Sequence, residues 1–139
     1  MLEAADRTAI EEMNARFAFA LDHHDYDALR DLLAPDVHYV SVGREHDGVE
    51  AVIASFKARV AKRTTRHNLG NAVLTPVDGD TVTGWSTWTT WASNEPGVTP
   101  PRIFMVADFH DRYVRTAGGW RIAERIIAPV FRDDALAPH

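Results

Sequence analysis

Hydrophobic residues recur at three- and four-residue spacing in the N-terminal half of the chain, which predicts amphipathic helices. In residues 4–21 the apolar side of the helix consists of Ile10, Met13, Phe17 and Leu21. In residues 49–63 it consists of Val52, Ile53, Phe56 and Val60, and the basic residues late in this segment suit the negative end of a helix dipole. A short helix over 26–33 is predicted between them, ending before Pro35 because the residue that precedes a proline avoids helical dihedrals.

From His67 onward the hydrophobic period changes to two, which indicates β-strands. Turn residues divide this half of the chain into four predicted strands, at 66–75, 81–92, 103–116 and 119–128. The connections are short and favour antiparallel pairing of successive strands. An earlier strand is predicted over 37–42, where β-branched and aromatic residues alternate, and it is followed by a polar turn at 43–48.

This order of elements predicts an α+β fold in which helices pack on one face of a mainly antiparallel sheet. Residues 1–131 form the predicted single domain, and residues 132–139 are expected to be a loose tail. In strands 81–92 and 103–116, large apolar residues alternate onto both faces. Because a strand that is apolar on both faces is usually covered on both, we expect a homo-oligomer, a dimer or a trimer.

Composition narrows the possible chemistry. The 139 residues include 15 Lys and Arg, 20 Asp and Glu, and no Cys, and the net charge is −5. Thiolate nucleophiles, thiolate metal sites and disulfides are therefore excluded. The negative charge and the lack of a basic stripe argue against a nucleic-acid partner. No apolar run of about 18 residues and no signal-like N-terminus are present, so we expect a cytoplasmic protein without a membrane partner.

Asp22 and His67 are the leading candidates for a catalytic pair. Asp22 follows the apolar face of the first helix, and His67 opens the first long strand. A histidine that is held by a carboxylate works as a general base near neutral pH, because the carboxylate sets the tautomer and stabilises the imidazolium. A helix-terminal aspartate can also be a cap, and a strand histidine can be structural.

Metal and nucleotide sites are not expected. The histidines of the segment 22–25 and those at 38, 46 and 110 lack the three- or four-residue spacing that lets one helix chelate a metal. Gly43 and Gly48 are isolated, and Gly118 and Gly119 form a predicted hairpin turn, so no phosphate-binding loop is present. No serine lies in a nucleophile elbow. The predicted partner is a small-molecule substrate, and the predicted cofactor is none.

Five segments together resemble the SnoaL-like family of the nuclear transport factor 2-like superfamily. They are residues 10–13 leading to 19–22, residues 32–37, residues 48–52, residues 66–71 and residues 119–122. The resemblance covers about residues 5–130. It implies a cone-shaped α+β barrel in which a curved sheet and three helices enclose a pocket.

Within that family, Asp22 and His67 resemble the paired residues of scytalone dehydratase, hexachlorocyclohexane dehydrochlorinase and bile-acid dehydratase. The resemblance implies that His67 removes a proton, that Asp22 orients it, and that no cofactor takes part. Tyr39 is similar to the phenolic residue that these enzymes direct into the pocket. We expect the apolar walls to include Phe17, Trp88 and Met105.

The chain also departs from these relatives. Phe17 stands where the dehydrochlorinase has a basic residue, and Leu21 stands where scytalone dehydratase has a tyrosine. The family's basic residue near the last hairpin has Arg115 or Thr116 as its counterpart here. Recognition of the leaving group must therefore differ from that in these enzymes.

The resulting hypothesis is a cofactor-independent lyase, a dehydratase or a related elimination enzyme, acting on a small apolar cyclic substrate. Two alternatives stay open at this point. In a polyketide cyclase or a ketosteroid-like isomerase the aspartate would be the base. In a ligand carrier or a structural subunit the pocket would bind without turnover.

Overall fold

The computed structural model describes residues 1–138. The chain begins with two helices and a strand, continues with a short strand and a third helix, and ends with four long strands and one turn of 3-10 helix. The elements are α1 (Ala4–Asp22), α2 (Tyr26–Leu32), β1 (Leu33–Ser41), β2 (Arg44–Asp47), α3 (Val49–Lys57), β3 (Thr64–Asp78), β4 (Thr81–Ser93), β5 (Ile103–Thr116), β6 (Gly119–Arg132) and the 3-10 turn Asp134–Leu136.

The strands form one open, mixed sheet in the order β2-β1-β6-β5-β4-β3. Neighbouring strands are antiparallel except for β1 and β6, which pair in parallel. The predicted sequential pairing of the last four strands is confirmed. The α+β class is confirmed as well, since three helices pack on this sheet and the apolar side of α1 is buried at Ile10, Met13 and Phe17. None of the helices in residues 1–138 is both long and apolar enough to cross a membrane.

Helix α3 is shorter than its periodicity predicts. It ends at Lys57 instead of residue 63. The Arg59 guanidinium lies 4.9 Å from the centre of the Phe56 ring, and Arg63 donates a hydrogen bond to the Leu136 carbonyl over 2.6 Å. The residues after Lys57 thus make contacts outside the helix, and tertiary interactions of this kind can outweigh intrinsic helix propensity.

The segment 43–48, expected to be a polar turn, contains the edge strand β2. Val42 and Gly43 both have positive φ, 53° and 74°, and form a tight hairpin that pairs Ser41 with Arg44. The four residues of β2 are charged or imidazole-bearing. Such a composition gives little strand signal, but it is typical of short edge strands because charges prevent edge-to-edge aggregation.

The C-terminal segment is not the loose tail that was predicted. Strand β6 continues to Arg132, and Leu136 is only 6% exposed. Asn94 donates to the Ala137 carbonyl over 2.9 Å, next to the bond from Arg63 to Leu136. One apolar side chain and two backbone carbonyls therefore dock this segment on the domain. Residue 139, also part of the predicted tail, lies outside the described residues.

Replacing Leu136 with alanine should lower the free energy of unfolding by about 2–3 kcal/mol, because a buried leucine leaves a cavity when it is truncated. Urea denaturation monitored by tryptophan fluorescence measures the change. Val77→Ala is the matched control, since Val77 is 62% exposed. Equal stabilities of the two variants would show that the segment is not docked in solution.

The two faces of β4 have different environments. Val82, Ser86 and Trp88 are buried under the helices, whereas Trp85 and Trp91 are exposed on the outer face. The predicted alternation along this strand is confirmed. Self-association stays a prediction.

A buried network of polar side chains crosses the core. The guanidinium of Arg125, with no exposed surface, donates from Nε and Nη2 to the Asp111 carboxylate over 2.9 and 3.0 Å. Tyr113 donates to Asp111 over 2.6 Å, and Asn14 bonds both Arg125 and Tyr113. Burial, and then the negative charge of Asp111, raise the pKa of Tyr113. This network attaches α1 to the centre of the sheet.

Candidate active site

Asp22 is held by the end of α1. His24 has a φ of 58°, and the amides of His24 and Asp25 donate back to the carbonyls of Leu21 and Ala20, which is the Schellman pattern of a helix end. A carboxylate in the last turn faces the negative end of the helix dipole, which is unfavourable. Asp22 is nevertheless 7% exposed, so other groups must stabilise its charge.

Strand β3 supplies those groups. The Thr65 hydroxyl donates to Asp22 Oδ1 over 2.9 Å, and the backbone amide of His67 donates to Oδ2 over 3.0 Å. The ring of His67 completes the set, with Nδ1 2.6 Å from Oδ1. The structure therefore brings together the two residues of the predicted pair, 45 positions apart in the chain.

The contact determines which ring nitrogen of His67 can act as a base. An ionised carboxylate only accepts hydrogen bonds, so Nδ1 must carry the hydrogen, and Nε2 of the neutral ring keeps a free lone pair. The His67 side chain is 10% exposed and lines a cavity. A proton taken up at Nε2 would leave an imidazolium directly beside the carboxylate of Asp22.

The cavity has a volume of about 760 Å³ and lies between the helices and the inner face of the sheet. Its size and its mainly apolar walls are typical of a small-molecule site. The apolar lining residues include Phe17, Leu21, Tyr39, Phe56, Phe104, Met105, Phe109 and Ile127. Phe17 and Met105 are among them, and their contact with a substrate stays a prediction.

Tyr39 presents a phenol in the cavity. Its ring packs edge-on against Phe56, with 5.6 Å between the ring centres, and its hydroxyl forms no hydrogen bond with residues 1–138. Burial raises the pKa of Tyr39, while the charge of Arg125 acts in the opposite direction. The hydroxyl is therefore neutral and available to donate to a bound molecule.

The prediction that Trp88 lines the cavity is wrong. Trp88 is buried behind the wall, stacked on Phe109 at 4.7 Å between ring centres and in edge contact with Phe17 at 6.5 Å. Its indole nitrogen donates to Ser86 over 2.9 Å. More than one layer of side chains packs against the inner face of the sheet. A residue can therefore point inward and still be separated from the cavity by its neighbours.

Several polar residues of the cavity were not identified from the sequence. Thr65 is one of them, and Arg59 and Arg63, whose charges suit the end of a longer predicted helix, are two others. Their signal in the sequence is weak, because their position depends on where α3 ends. Arg115, one counterpart of the family's basic residue, lies outside the cavity and pairs with Asp6 over 2.8 Å.

In residues 1–138, no three His, Asp or Glu side chains lie close enough together to bind a metal ion. His38 instead pairs with Asp47, with Nδ1 and Oδ1 2.7 Å apart, on an exposed edge of the sheet. This hydrogen bond raises the pKa of His38. The His67 and Asp22 pair differs from it in being buried and in lining a cavity.

The sequence model of the SnoaL-like domain family matches residues 2–126 of this chain. No protein with curated annotation is significantly similar to it.

Three solved structures from Novosphingobium aromaticivorans share the fold. One, a nuclear transport factor 2-like protein with a cystatin-like fold, is 28% identical, with a TM-score of 0.77 over 95% of this chain and 86% of that one. A second, described provisionally as a scytalone dehydratase, is 18% identical, with a TM-score of 0.79 over 94% and 87%. A third, described provisionally as an aromatic ring hydroxylase, is 20% identical, with a TM-score of 0.83 over 100% and 96%.

Proposed function

Because the chain belongs to the SnoaL-like domain family, and because His67 lines a largely apolar cavity with one ring nitrogen free, we propose that it is a cofactor-independent lyase. The reaction is the elimination of water or a related leaving group from a small cyclic substrate. One observation carries the proposal: the 2.6 Å contact between His67 Nδ1 and Asp22 Oδ1, which leaves Nε2 as the base. A structural neighbour that is described provisionally as a scytalone dehydratase is consistent with dehydration.

In the proposed mechanism, His67 Nε2 removes a proton from a carbon next to an activating group, and the bond to the leaving group breaks at the neighbouring carbon. The imidazolium that forms is stabilised by Asp22, which already accepts hydrogen bonds from Thr65 and from the His67 backbone. Tyr39 donates a hydrogen bond to the oxygen on which negative charge develops. The proton on His67 then leaves with the departing hydroxyl, which restores the neutral ring.

The alternative in which Asp22 is the base has less support. Asp22 does not line the cavity, and both of its carboxylate oxygens already accept hydrogen bonds from β3. A base must reach the substrate proton directly or through one water molecule. His67 meets this requirement and Asp22 does not, which favours elimination by histidine over an isomerase of the ketosteroid type.

A substrate panel tests the proposal. Cyclic ketones with an acidic hydrogen and a hydroxyl or halide on the next carbon are incubated with the protein in deuterated buffer containing a chelator. Mass spectrometry follows loss of the leaving group and incorporation of deuterium. We expect His67-dependent elimination or exchange for at least one compound. Binding of panel compounds without either change would identify a carrier instead of an enzyme.

Replacing Tyr39 with phenylalanine should lower kcat about 10²-fold, since one donor to a developing oxyanion is lost. The substrate KM should change much less. Tyr26→Phe is the matched control, because Tyr26 lies on α2 and does not line the cavity. If kcat of the Tyr39 variant equals that of the control, the phenol has no part in the reaction.

We also propose that the protein acts in the cytoplasm and that it associates with further copies of itself. We propose that the catalytic unit is a homo-oligomer, whose contacts involve the exposed outer face of β4 at Trp85 and Trp91. The cavity lies on the opposite face of the sheet. Each chain would therefore carry its own complete site.

A further inference from the structure

The cavity wall carries a set of cations that the proton transfer does not use. Four arginines line it, and the carboxylate of Asp134 is the only acidic group among its described lining residues; the arginines are Arg44, Arg59, Arg63 and Arg132. Asp134 is already paired with Arg132, with Nε and Oδ1 2.7 Å apart. A protein with a net charge of −5 thus encloses a positively charged cavity. Low-dielectric walls focus such a field on an anion that enters.

Arg63 is the most buried of these arginines, at 4% exposure. Its Nη1 donates to the Asn94 side-chain oxygen over 2.7 Å and to the Leu136 carbonyl over 2.6 Å, both of which are neutral acceptors. Its Nε is buried and has no hydrogen-bond partner in residues 1–138. The guanidinium lies 5.1 Å from the centre of the Phe104 ring. Its positive charge is thus without a carboxylate partner in the described part of the chain.

Arg59 lies four positions earlier and faces the same cavity. Its guanidinium packs over Phe56 and forms neither a hydrogen bond nor a salt bridge with residues 1–138. Burial lowers the pKa of Arg59, and burial together with the charge of Arg59 lowers the pKa of Arg63 to about 10. Both remain cations at neutral pH. Buried charge is costly when it has no counter-ion, and an anionic ligand would remove that cost.

We propose that Arg59 and Arg63 bind a carboxylate of the substrate, so that the proposed lyase acts on a cyclic carboxylic acid. The planar guanidinium matches a carboxylate in two parallel hydrogen bonds, and the Arg63 Nε is a donor without a partner in residues 1–138. The inference rests on the proposed function for the reaction, but the binding of the acid is independent of it.

The position of the two arginines indicates that the carboxylate is an anchor, not the leaving group. Arg63 precedes β3, and His67 lies four residues further along nearly extended chain, so their Cα atoms are about 13 Å apart. We therefore place a carboxylate bound at Arg63 apart from the carbon that faces His67 Nε2. Phe56 and Phe104 cover the space beside the arginines, which suits a ring between the anchor and the reacting carbon.

Binding of 2-naphthoate and its neutral isostere 2-naphthamide tests the proposal by isothermal titration calorimetry. We expect the acid to bind at least tenfold more tightly than the amide. Arg63→Gln and Arg59→Gln should each weaken 2-naphthoate binding about tenfold and leave 2-naphthamide binding unchanged. Arg16→Gln removes the same charge from the exposed surface and should alter neither affinity. Arg63→Lys keeps the charge if the glutamine variant fails to fold, and it should retain part of the preference.

Equal affinity for acid and amide, no detectable binding of 2-naphthoate, or the same loss in Arg16→Gln as in Arg63→Gln would overturn the proposal. His67→Gln separates it from the proposed function, because this change should lower turnover about 10²–10⁴-fold and leave 2-naphthoate binding unaltered. A preference for the acid without any His67-dependent turnover supports the anion site and contradicts the lyase. Turnover of neutral substrates without a preference for the acid supports the lyase and contradicts the anion site.

Discussion

Replacing His67 with glutamine should lower turnover of a substrate found in the panel about 10²–10⁴-fold, the usual contribution of a general base. Glutamine keeps a polar group of similar size near Asp22 but offers no ring nitrogen to take up a proton. Since the side chain lines the cavity and the core is formed elsewhere, the fold should persist. Steady-state kinetics measure the loss, and circular dichroism checks the fold.

The matched control for this variant is His38→Gln. His38 also pairs with a carboxylate, Asp47, at a similar distance of 2.7 Å, but it lies at an exposed edge of the sheet and does not line the cavity. It should keep wild-type turnover. Asp22→Asn should lose less activity than His67→Gln, because the base remains but its tautomer and charge are no longer controlled. A larger loss in Asp22→Asn than in His67→Gln would support aspartate as the base.

Replacing Asp111 with asparagine, or Arg125 with methionine, should lower the free energy of unfolding by about 3–5 kcal/mol. Each change leaves one charge or polar group of a fully buried pair without its partner. The Arg125 guanidinium also lies 4.5 Å from the centre of the Phe17 ring, and Asn14 bonds it from α1. Loss of this pair therefore loosens the helix that carries Asp22. Urea denaturation gives the free energy.

The double variant Arg125→Met with Asp111→Asn is the control for that prediction. It removes both charges together, so it should cost less than the two single changes combined, and the difference measures their coupling. The exposed pair of Arg16 with Glu12 gives a second reference, because a surface ion pair contributes about 0–1 kcal/mol. A loss below 1 kcal/mol for Asp111→Asn would mean that the buried network does not hold the core.

Periodicity was sufficient to predict the elements that bury one continuous face. Ile10, Met13 and Phe17 define α1, and the alternation around Trp88 defines β4, because each pattern reflects a single period over a long segment. Asp22 and His67 could be paired from the sequence because each stands where such a pattern ends or begins. The resemblance to related enzymes then predicted that the two side chains lie next to each other.

The features that the sequence analysis missed depend on contacts between distant segments. Strand β2 has a polar composition and exists because β1 offers it an edge. Three missed features depend on one another: the end of α3, the docking of Leu136 and the position of Arg63. Arg63 follows the end of α3 and donates a hydrogen bond to the Leu136 carbonyl, so its position depends on both. Trp88 faces inward as predicted, but Phe17 and Phe109 cover it. A pattern along one strand does not give the depth of a side chain within a core.

Long-range proton–nitrogen NMR correlation of the His67 ring tests the central claim most directly, because it assigns the tautomer without a substrate. The spectrum is recorded at a pH where the ring is neutral, for the wild type and for Asp22→Asn. We expect the hydrogen on Nδ1 and an unprotonated Nε2 in the wild type, and a mixture of tautomers in the variant. A wild-type ring with its hydrogen on Nε2 would have no free base directed at the cavity and would contradict the mechanism.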